Sequence, residues 1–208
     1  RFNYIEINYM EIHQQQLNND TKNPILTTGI YSSPIPKDWI DVLKSQKIDT
    51  GKVSPQKGGV TDLKIRDSNI CFLNDQWLTS VFNYYMQDAN QRAGWNFDIE
   101  NSEDTQFTIY NKNQYYNWHV DQDVDPYQQG AYKGLTRKIS LSMSLNDGTK
   151  YEAGNFKFGY NNKETVCKEL RQKGTVAVFP SFINHRVEPV KKGARYSIVK
   201  WFLGKSFK

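Results

Sequence analysis

Residues 139–145 read Ile-Ser-Leu-Ser-Met-Ser-Leu and alternate without a break. Ile139, Leu141, Met143 and Leu145 fall on one side of an extended chain, and Ser140, Ser142 and Ser144 on the other. Only a β-strand has that two-residue period. A strand with one apolar side must pack that side against another layer, so this stretch already demands a layered β structure. Its neighbours agree. "WNFDI", "TQFTIY", "YYNWHV", "GNFKFGY", "GTVAVFPS" and "RYSIVKWFLG" are short, mostly alternating, and divided by Gly, Asn, Asp or Pro. Seven or eight such strands preceded by helices predict a mainly β, α+β fold: a jelly roll or barrel backed by helices.

Before Trp95 the period is different. "NDQWLTSVFNYYMQDANQRAG" predicts a helix with Trp77, Leu78, Val81, Phe82, Tyr85 and Ala89 in one stripe. Asn74 suits its N-cap, Asp75 its first turn and Gly94 its end. A shorter helix is expected in "PKDWIDVLKSQ", a strand in "RFNYIEINYMEI", and a loop from Gly51 to Gly59. A chain of 208 residues fits one domain, 1–208, in which 1–94 supply a strand and supporting helices and 95–208 the jelly-roll core.

Charge and cysteine usage exclude several classes. The net charge of +5 is spread thinly, with no lysine run longer than Lys191-Lys192, which describes a solvated surface and makes a nucleic-acid partner unexpected. Cys71 and Cys167 form neither a disulfide framework nor a zinc-knuckle spacing. No stretch is apolar and long enough to span a membrane, and no charged-then-apolar leader opens the chain. The cytoplasm is the expected compartment.

Of three histidines, His13 lies in a polar context and reads as solvated. His119 lies in "YYNWHVDQ", two residues before Asp121, so on an extended strand both side chains point the same way. Such a pair holds a metal or is a hydrogen-bonded surface pair. His185, 66 residues on, ends another apolar strand, and a jelly roll can lay separated strands side by side. Two histidines and one carboxylate form a facial set with open positions, which suits non-haem Fe(II) and oxygen chemistry. Zinc could use the same ligands. Arg195 lies ten residues beyond His185, with Ser197 on the same side. Arginine grips carboxylates with two parallel hydrogen bonds. The polar run "DQDVDPYQQGAYKGLTRK" directly after the His–Asp pair has the length of a lid.

The ordered set "HVD", a distal histidine and an arginine ten residues on resembles the 2-oxoglutarate- and Fe(II)-dependent dioxygenases. Within them it is most similar to the prolyl 4-hydroxylase group, including bacterial and phage PKHD-type members. "QFTIYNKNQYYNWHVDQ", "GLTRKISLSMSLND", "YEAGNFKF" and "GTVAVFPSFINHRVEPVKKGARYSIVKWFLG" carry the likeness over residues 70–204. The resemblance implies a double-stranded β-helix, with His119, Asp121 and His185 as iron ligands. It assigns Arg195 to the distal carboxylate of 2-oxoglutarate, with Ser197 as helper and Tyr110 lining the same pocket. It implies O2 as oxidant, ascorbate as accessory reductant, and a peptide or protein substrate containing proline, hydroxylated with release of succinate and CO2. The alternatives are the same chemistry on a free amino acid, another side chain or an alkylated base, or a catalytically silent metal-binding jelly roll. Two departures stand out: Ser144 occupies a position where some prolyl hydroxylases have tyrosine, and "NKNQYY" lacks a glycine common in that turn. Tyr115, Tyr116 and Trp118 are either rim packing or a surface for substrate rings, and Arg186 is either structural or substrate-facing.

Overall fold

A computed structural model describes residues 28–33, 39–52 and 61–207. The opening strand expected over residues 1–12, His13, and most of the loop expected after Gly51 lie outside these residues. In chain order the first strands are β1 (Gly29–Ser32), β2 (Asp49–Thr50), β3 (Arg66–Asp67), β4 (Asn69–Leu73), β5 (Asn101–Ser102), β6 (Thr105–Tyr110) and β7 (Tyr115–His119). There follow β8 (Leu135–Ser144), β9 (Tyr151–Ala153), β10 (Phe156–Tyr160), β11 (Lys163–Val166), β12 (Thr175–Pro180), β13 (Asn184–Val187), β14 (Val190–Gly193) and β15 (Arg195–Lys205). Helix α1 spans Trp39–Lys44 and α2 spans Gln76–Arg92.

The larger sheet runs β1-β12-β8-β15-β6-β4-β2, with β5 also on β15, and the smaller runs β11-β10-β13-β7-β3. Neighbours far apart in sequence, such as β8 between β12 and β15, mark the crossovers of a double-stranded β-helix. The two sheets face each other: Phe179 of β12 meets His185 of β13 with ring centroids 4.9 Å apart.

Alternation in β8 separates two buried surfaces. Ile139, Leu141 and Met143 pack in one core cluster with Leu78, Phe82, Tyr85, Met86 and Ala89 of α2. Ser140, Ser142 and Ser144 are equally hidden, at most 3% exposed, because the smaller sheet covers their side. The serine side therefore faces the interior between the sheets. Burying hydroxyls there is tolerable only where they find partners.

Helix α2 forms as the stripe predicts, with two adjustments. Asp75, not Asn74, is the N-cap, its carboxylate accepting from the Leu78 N–H at 3.0 Å. Trp77 lies off the buried stripe at 43% exposure, whereas Met86 belongs to it. Gly94, at φ +69°, lets the chain leave the helix in the left-handed region.

The strand expected over "WNFDI" is absent. Asn90 of α2 takes the place of a partner strand, its side-chain oxygen accepting from Phe97 N–H and its amide donating to Phe97 C=O, both at 2.9 Å. Conversely, the region before Trp95 adds strands to both sheets: β4 pairs with β6, β1 with β12, and β3 with β7. Gly174 lets β1 close onto the sheet, since a Cβ there would lie 2.4 Å from the Ser33 carbonyl oxygen. No described helix is long and apolar enough to cross a membrane.

Candidate active site

Antiparallel pairing sets His119 of β7 directly opposite His185 of β13. Asp121 sits just past the end of β7, where its own N–H and that of Gln122 both donate to the Ser181 carbonyl, at 2.9 and 3.0 Å. This turn aims the carboxylate back at the two rings. One ligand atom from each of His119, Asp121 and His185 lies within 4.8 Å of the others.

Each imidazole is locked. His119 Nδ1 lies 2.7 Å from the Asn117 carbonyl and His185 Nδ1 lies 2.8 Å from the Ile183 carbonyl. A carbonyl only accepts, so Nδ1 carries the proton on both rings. The Nε2 atoms are left facing Asp121, at 3.7 Å from Oδ1 for His119 and 3.5 Å from Oδ2 for His185. Tyr116 stacks flat on His119, centroids 3.4 Å apart, with Arg66 over the Tyr116 ring. Phe156 stacks on His185.

Electrostatics put His119 and Asp121 in the protonation states a metal needs. Burial, helped by the nearby His185, pushes His119 down to about 3 despite the opposing pull of Asp121. Burial alone would raise Asp121, but His185, His119, Arg137 and the Ser140 hydroxyl outweigh it and hold the carboxyl at about 2. At neutral pH His119 is therefore an uncharged donor and Asp121 an anion. Two imidazole nitrogens and one carboxylate oxygen converging within 4.8 Å suit a divalent first-row metal that keeps free coordination positions.

Arg195 lies in the same interior, on β15 opposite Tyr110 of β6. It is 2% exposed. Its Nη1 donates to Ser197 Oγ at 3.0 Å, while Nη2 is buried with no hydrogen-bond partner. Among the described residues no carboxylate pairs with it. Its guanidinium carbon stands 5.6 Å from the centre of the Tyr110 ring. Burial raises the Tyr110 hydroxyl above its ordinary range, although Arg66 and Arg195 pull it down, so it remains a phenol and can donate. Ser144 is opposite Ser197. Its hydroxyl donates to the Leu170 carbonyl and is spent there.

Several residues of the site carry no signal in the sequence. Glu103, in the polar run "ENSEDTQ", receives Arg137 Nε at 2.6 Å, Arg137 Nη2 at 2.5 Å and the Tyr127 hydroxyl at 2.8 Å. The Arg137 guanidinium lies 3.8 Å above Trp201. Glu103, Arg137 and Trp201, with Arg66, Gln106 and Tyr116, line an open groove of about 520 Å³ that runs up to the ring stacked on His119. Trp201 is 5% exposed and its indole N–H has no acceptor. The loop after Asp121 is tied down beside the groove by Tyr127 and by the Tyr132 hydroxyl on Ser102 C=O. Of the aromatic residues before His119, only Tyr116 reaches the groove. Tyr115 donates to the Leu63 carbonyl, and Trp118 lies against Arg186. Arg186 follows His185 on β13 and so faces the opposite side of the sheet.

Comparison with known proteins matches residues 105–203 to the 2OG-Fe(II) oxygenase superfamily. A PKHD-type hydroxylase of Thermosynechococcus vestitus is 33% identical over 96 residues, 46% of this chain and 40% of that protein. A PKHD-type hydroxylase of Xylella fastidiosa is 33% identical over 98 residues, 46% of this chain and 42% of that protein. The matched stretch thus spans about two fifths of either relative. Among solved structures, a prolyl-4-hydroxylase of Pseudomonas putida aligns with a TM-score of 0.62 at 18% identity, covering 84% of this chain and 91% of that one. A prolyl hydroxylase of Trichoplax adhaerens, in complex with a hypoxia-inducible-factor peptide fragment, aligns with a TM-score of 0.64 at 18% identity, covering 84% and 82%. At that identity the structural likeness is one of fold.

Proposed function

We propose that this chain, whose residues 105–203 match the 2OG-Fe(II) oxygenase superfamily, is an iron- and 2-oxoglutarate-dependent dioxygenase that hydroxylates a C–H bond of proline in a peptide or protein. The observation that carries this reading is the buried His119–Asp121–His185 cluster sharing one interior with a guanidinium that lacks a carboxylate. The metal with its co-substrate and O2 would supply the oxidising chemistry, in which 2-oxoglutarate leaves as succinate and CO2 and one oxygen atom enters the substrate C–H bond.

The protein's own groups do the rest. His119, Asp121 and His185 would hold the metal, with ring orientation fixed in advance by the Asn117 and Ile183 carbonyls. Arg195 would take the distal carboxylate of 2-oxoglutarate through the free Nη2, with Ser197 steadying Nη1 and Tyr110 beside it. Holding the diacid by its far end orients its keto-acid end before reaction. Phe156, Phe179 and Tyr116 pack their rings against the two histidines and hold them in place.

The groove favours a polypeptide. Arg137 is paired with Glu103, and Arg66 spends hydrogen bonds on Ser68 Oγ and the Lys52 carbonyl. A buried donor without an acceptor is the neutral indole N–H of Trp201. A neutral donor beside cations whose hydrogen bonds are already engaged suits an amide carbonyl. A proline residue offers that carbonyl while bringing no N–H that would need a partner. The names of the similar proteins point the same way, prolyl hydroxylases and PKHD-type hydroxylases, one of them in complex with a peptide.

The test is turnover. Purified protein with Fe(II), 2-oxoglutarate and air should form succinate, and proline-containing peptides, but not nucleotides, should gain one oxygen atom by mass spectrometry. His119→Ala and Asp121→Ala should form none. No succinate under any condition, or full activity of Asp121→Ala, refutes the assignment. Oxygen transfer to nucleotides alone moves the substrate to nucleic acid.

A further inference from the structure

The carboxylate of Asp121 is held by more than its own turn. Ser140 Oγ donates to Asp121 Oδ2 at 2.7 Å, and Ser181 Oγ lies 2.9 Å from Ser140 Oγ. Ser140 and Ser181 are both fully buried. The direction of this chain follows from proton counting. An ionised carboxylate only accepts, so Ser140 must spend its single hydroxyl proton on Asp121. Ser181 must then donate to Ser140. The order is Ser181 to Ser140 to Asp121, each donor strengthening the next. Ser181 also holds the Asp121 and Gln122 N–H groups through its carbonyl, while its own N–H is anchored on the Lys138 carbonyl at 2.9 Å. Ser140 thus reaches Asp121 from the larger sheet, whereas both histidines stand on the smaller one.

We propose that Ser140, supported by Ser181, is a positioning residue that fixes the orientation of the Asp121 carboxylate for metal binding. This rests on the metal-site reading above. The reason for a clamp is torsional. Rotation about the terminal bond of an aspartate is soft, so an untied carboxylate samples many planes. Here one oxygen is pinned, and the pair of oxygens presents a single orientation to the two Nε2 atoms.

The experiment measures metal affinity without turnover. Wild-type protein and variants are titrated anaerobically with Co(II) or Mn(II) alone, by calorimetry and, for Co(II), by visible absorbance. Ser140→Ala should weaken binding by about 10- to 100-fold, the range for loss of a group that orients a metal ligand. It should also change the Co(II) spectrum. Ser181→Ala should show a smaller loss of the same kind, because Ser140 keeps its proton on Asp121 without it. Ser140→Thr should restore wild-type affinity and spectrum. Ser142→Ala, a buried serine two residues along the same side of β8 with no hydrogen bond to Asp121, should bind as wild type. If Ser140→Ala does not fold, judged by the melting curve of the metal-free protein, Ser140→Cys supplies a near-isosteric weak donor and should rank between Ser and Ala. Wild-type affinity in both Ser140→Ala and Ser140→Cys overturns the proposal, and so does a loss that Ser140→Thr fails to rescue. Absence of metal binding by the wild-type protein would instead refute the metal site itself.

Discussion

Replacing Arg195 by methionine separates a residue that supports the fold from one that waits for a ligand. The guanidinium is 2% exposed, has one hydrogen bond to Ser197, leaves Nη2 without a protein partner and pairs with no described carboxylate. Burying a cation with so little compensation costs several kcal/mol, on the order given by effective ion desolvation. Methionine fills much of the same volume without that cost. The metal-free, ligand-free Arg195→Met protein should therefore melt at the same temperature as wild type or higher. The ligand response should go the other way. A co-substrate present at one hundred times its Kd stabilises a protein by about 2.7 kcal/mol. For a domain of this size that corresponds to roughly 5–11 °C in Tm. Removing one partner of a buried charge pair costs about 2–5 kcal/mol, or roughly 30-fold to several thousandfold in affinity. The variant should then show at most about a third of that shift at the same concentration. Differential scanning fluorimetry with Mn(II) in place of Fe(II), with and without 2-oxoglutarate, reads both quantities in one plate. A variant that keeps the wild-type shift refutes the role of Arg195. A ligand-free variant that melts ten degrees lower shows that the guanidinium holds the two sheets together, and the argument from its bare Nη2 fails.

Two further outcomes are expected. Trp201→Phe keeps an aromatic ring under Arg137 but removes the indole N–H, so KM for a peptide substrate should rise about tenfold, the equivalent of one neutral hydrogen bond of about 1.4 kcal/mol. The 2-oxoglutarate thermal shift should persist, and an unchanged peptide KM would remove the indole from recognition. Burial pushes the Cys167 thiol up to about 12, so it carries almost no thiolate at pH 8 in the native protein. Iodoacetamide should label Cys167 only after denaturation, with native labelling emerging as the pH climbs toward 12. Rapid labelling at pH 8 without denaturant would contradict the packing around Cys167.

The strands of the core were readable because their periods are local. β6, β8, β12 and β15 fall where alternation predicts them, and α2 fills the 3.6-residue stripe to within one residue of its cap. The His119–Asp121–His185 cluster was readable too, since His119 and Asp121 are close in sequence and histidine is rare in this chain. What escaped is set by partners distant in sequence. Glu103 and Arg137 are 34 residues apart, and each alone resembles a surface charge. "WNFDI" has a strand-like pattern, yet Asn90 satisfies Phe97 from the helix and no ladder forms. Short strands such as β1 and β3 have too few residues to show a period, and they exist because β12 and β7 offer them an edge.

The serines of β8 make the same point about function. Alternation distinguishes two sides of a strand but carries no information about what covers each side. Ser140, Ser142 and Ser144 have the composition of a solvated face, and the covering sheet turns that face into the lining of the interior that holds the His119–Asp121–His185 cluster. Once enclosed, each hydroxyl needs a partner, and two of the three hold features of the site's wall: Ser140 the Asp121 carboxylate, Ser144 the Leu170 carbonyl. In a two-layer β structure the polar side of an otherwise core strand is therefore the place to look for groups that orient a site. A substitution there, from serine to alanine, would leave the apolar packing against α2 untouched while altering the ligand field of the metal, so stability and metal affinity should vary independently along this strand.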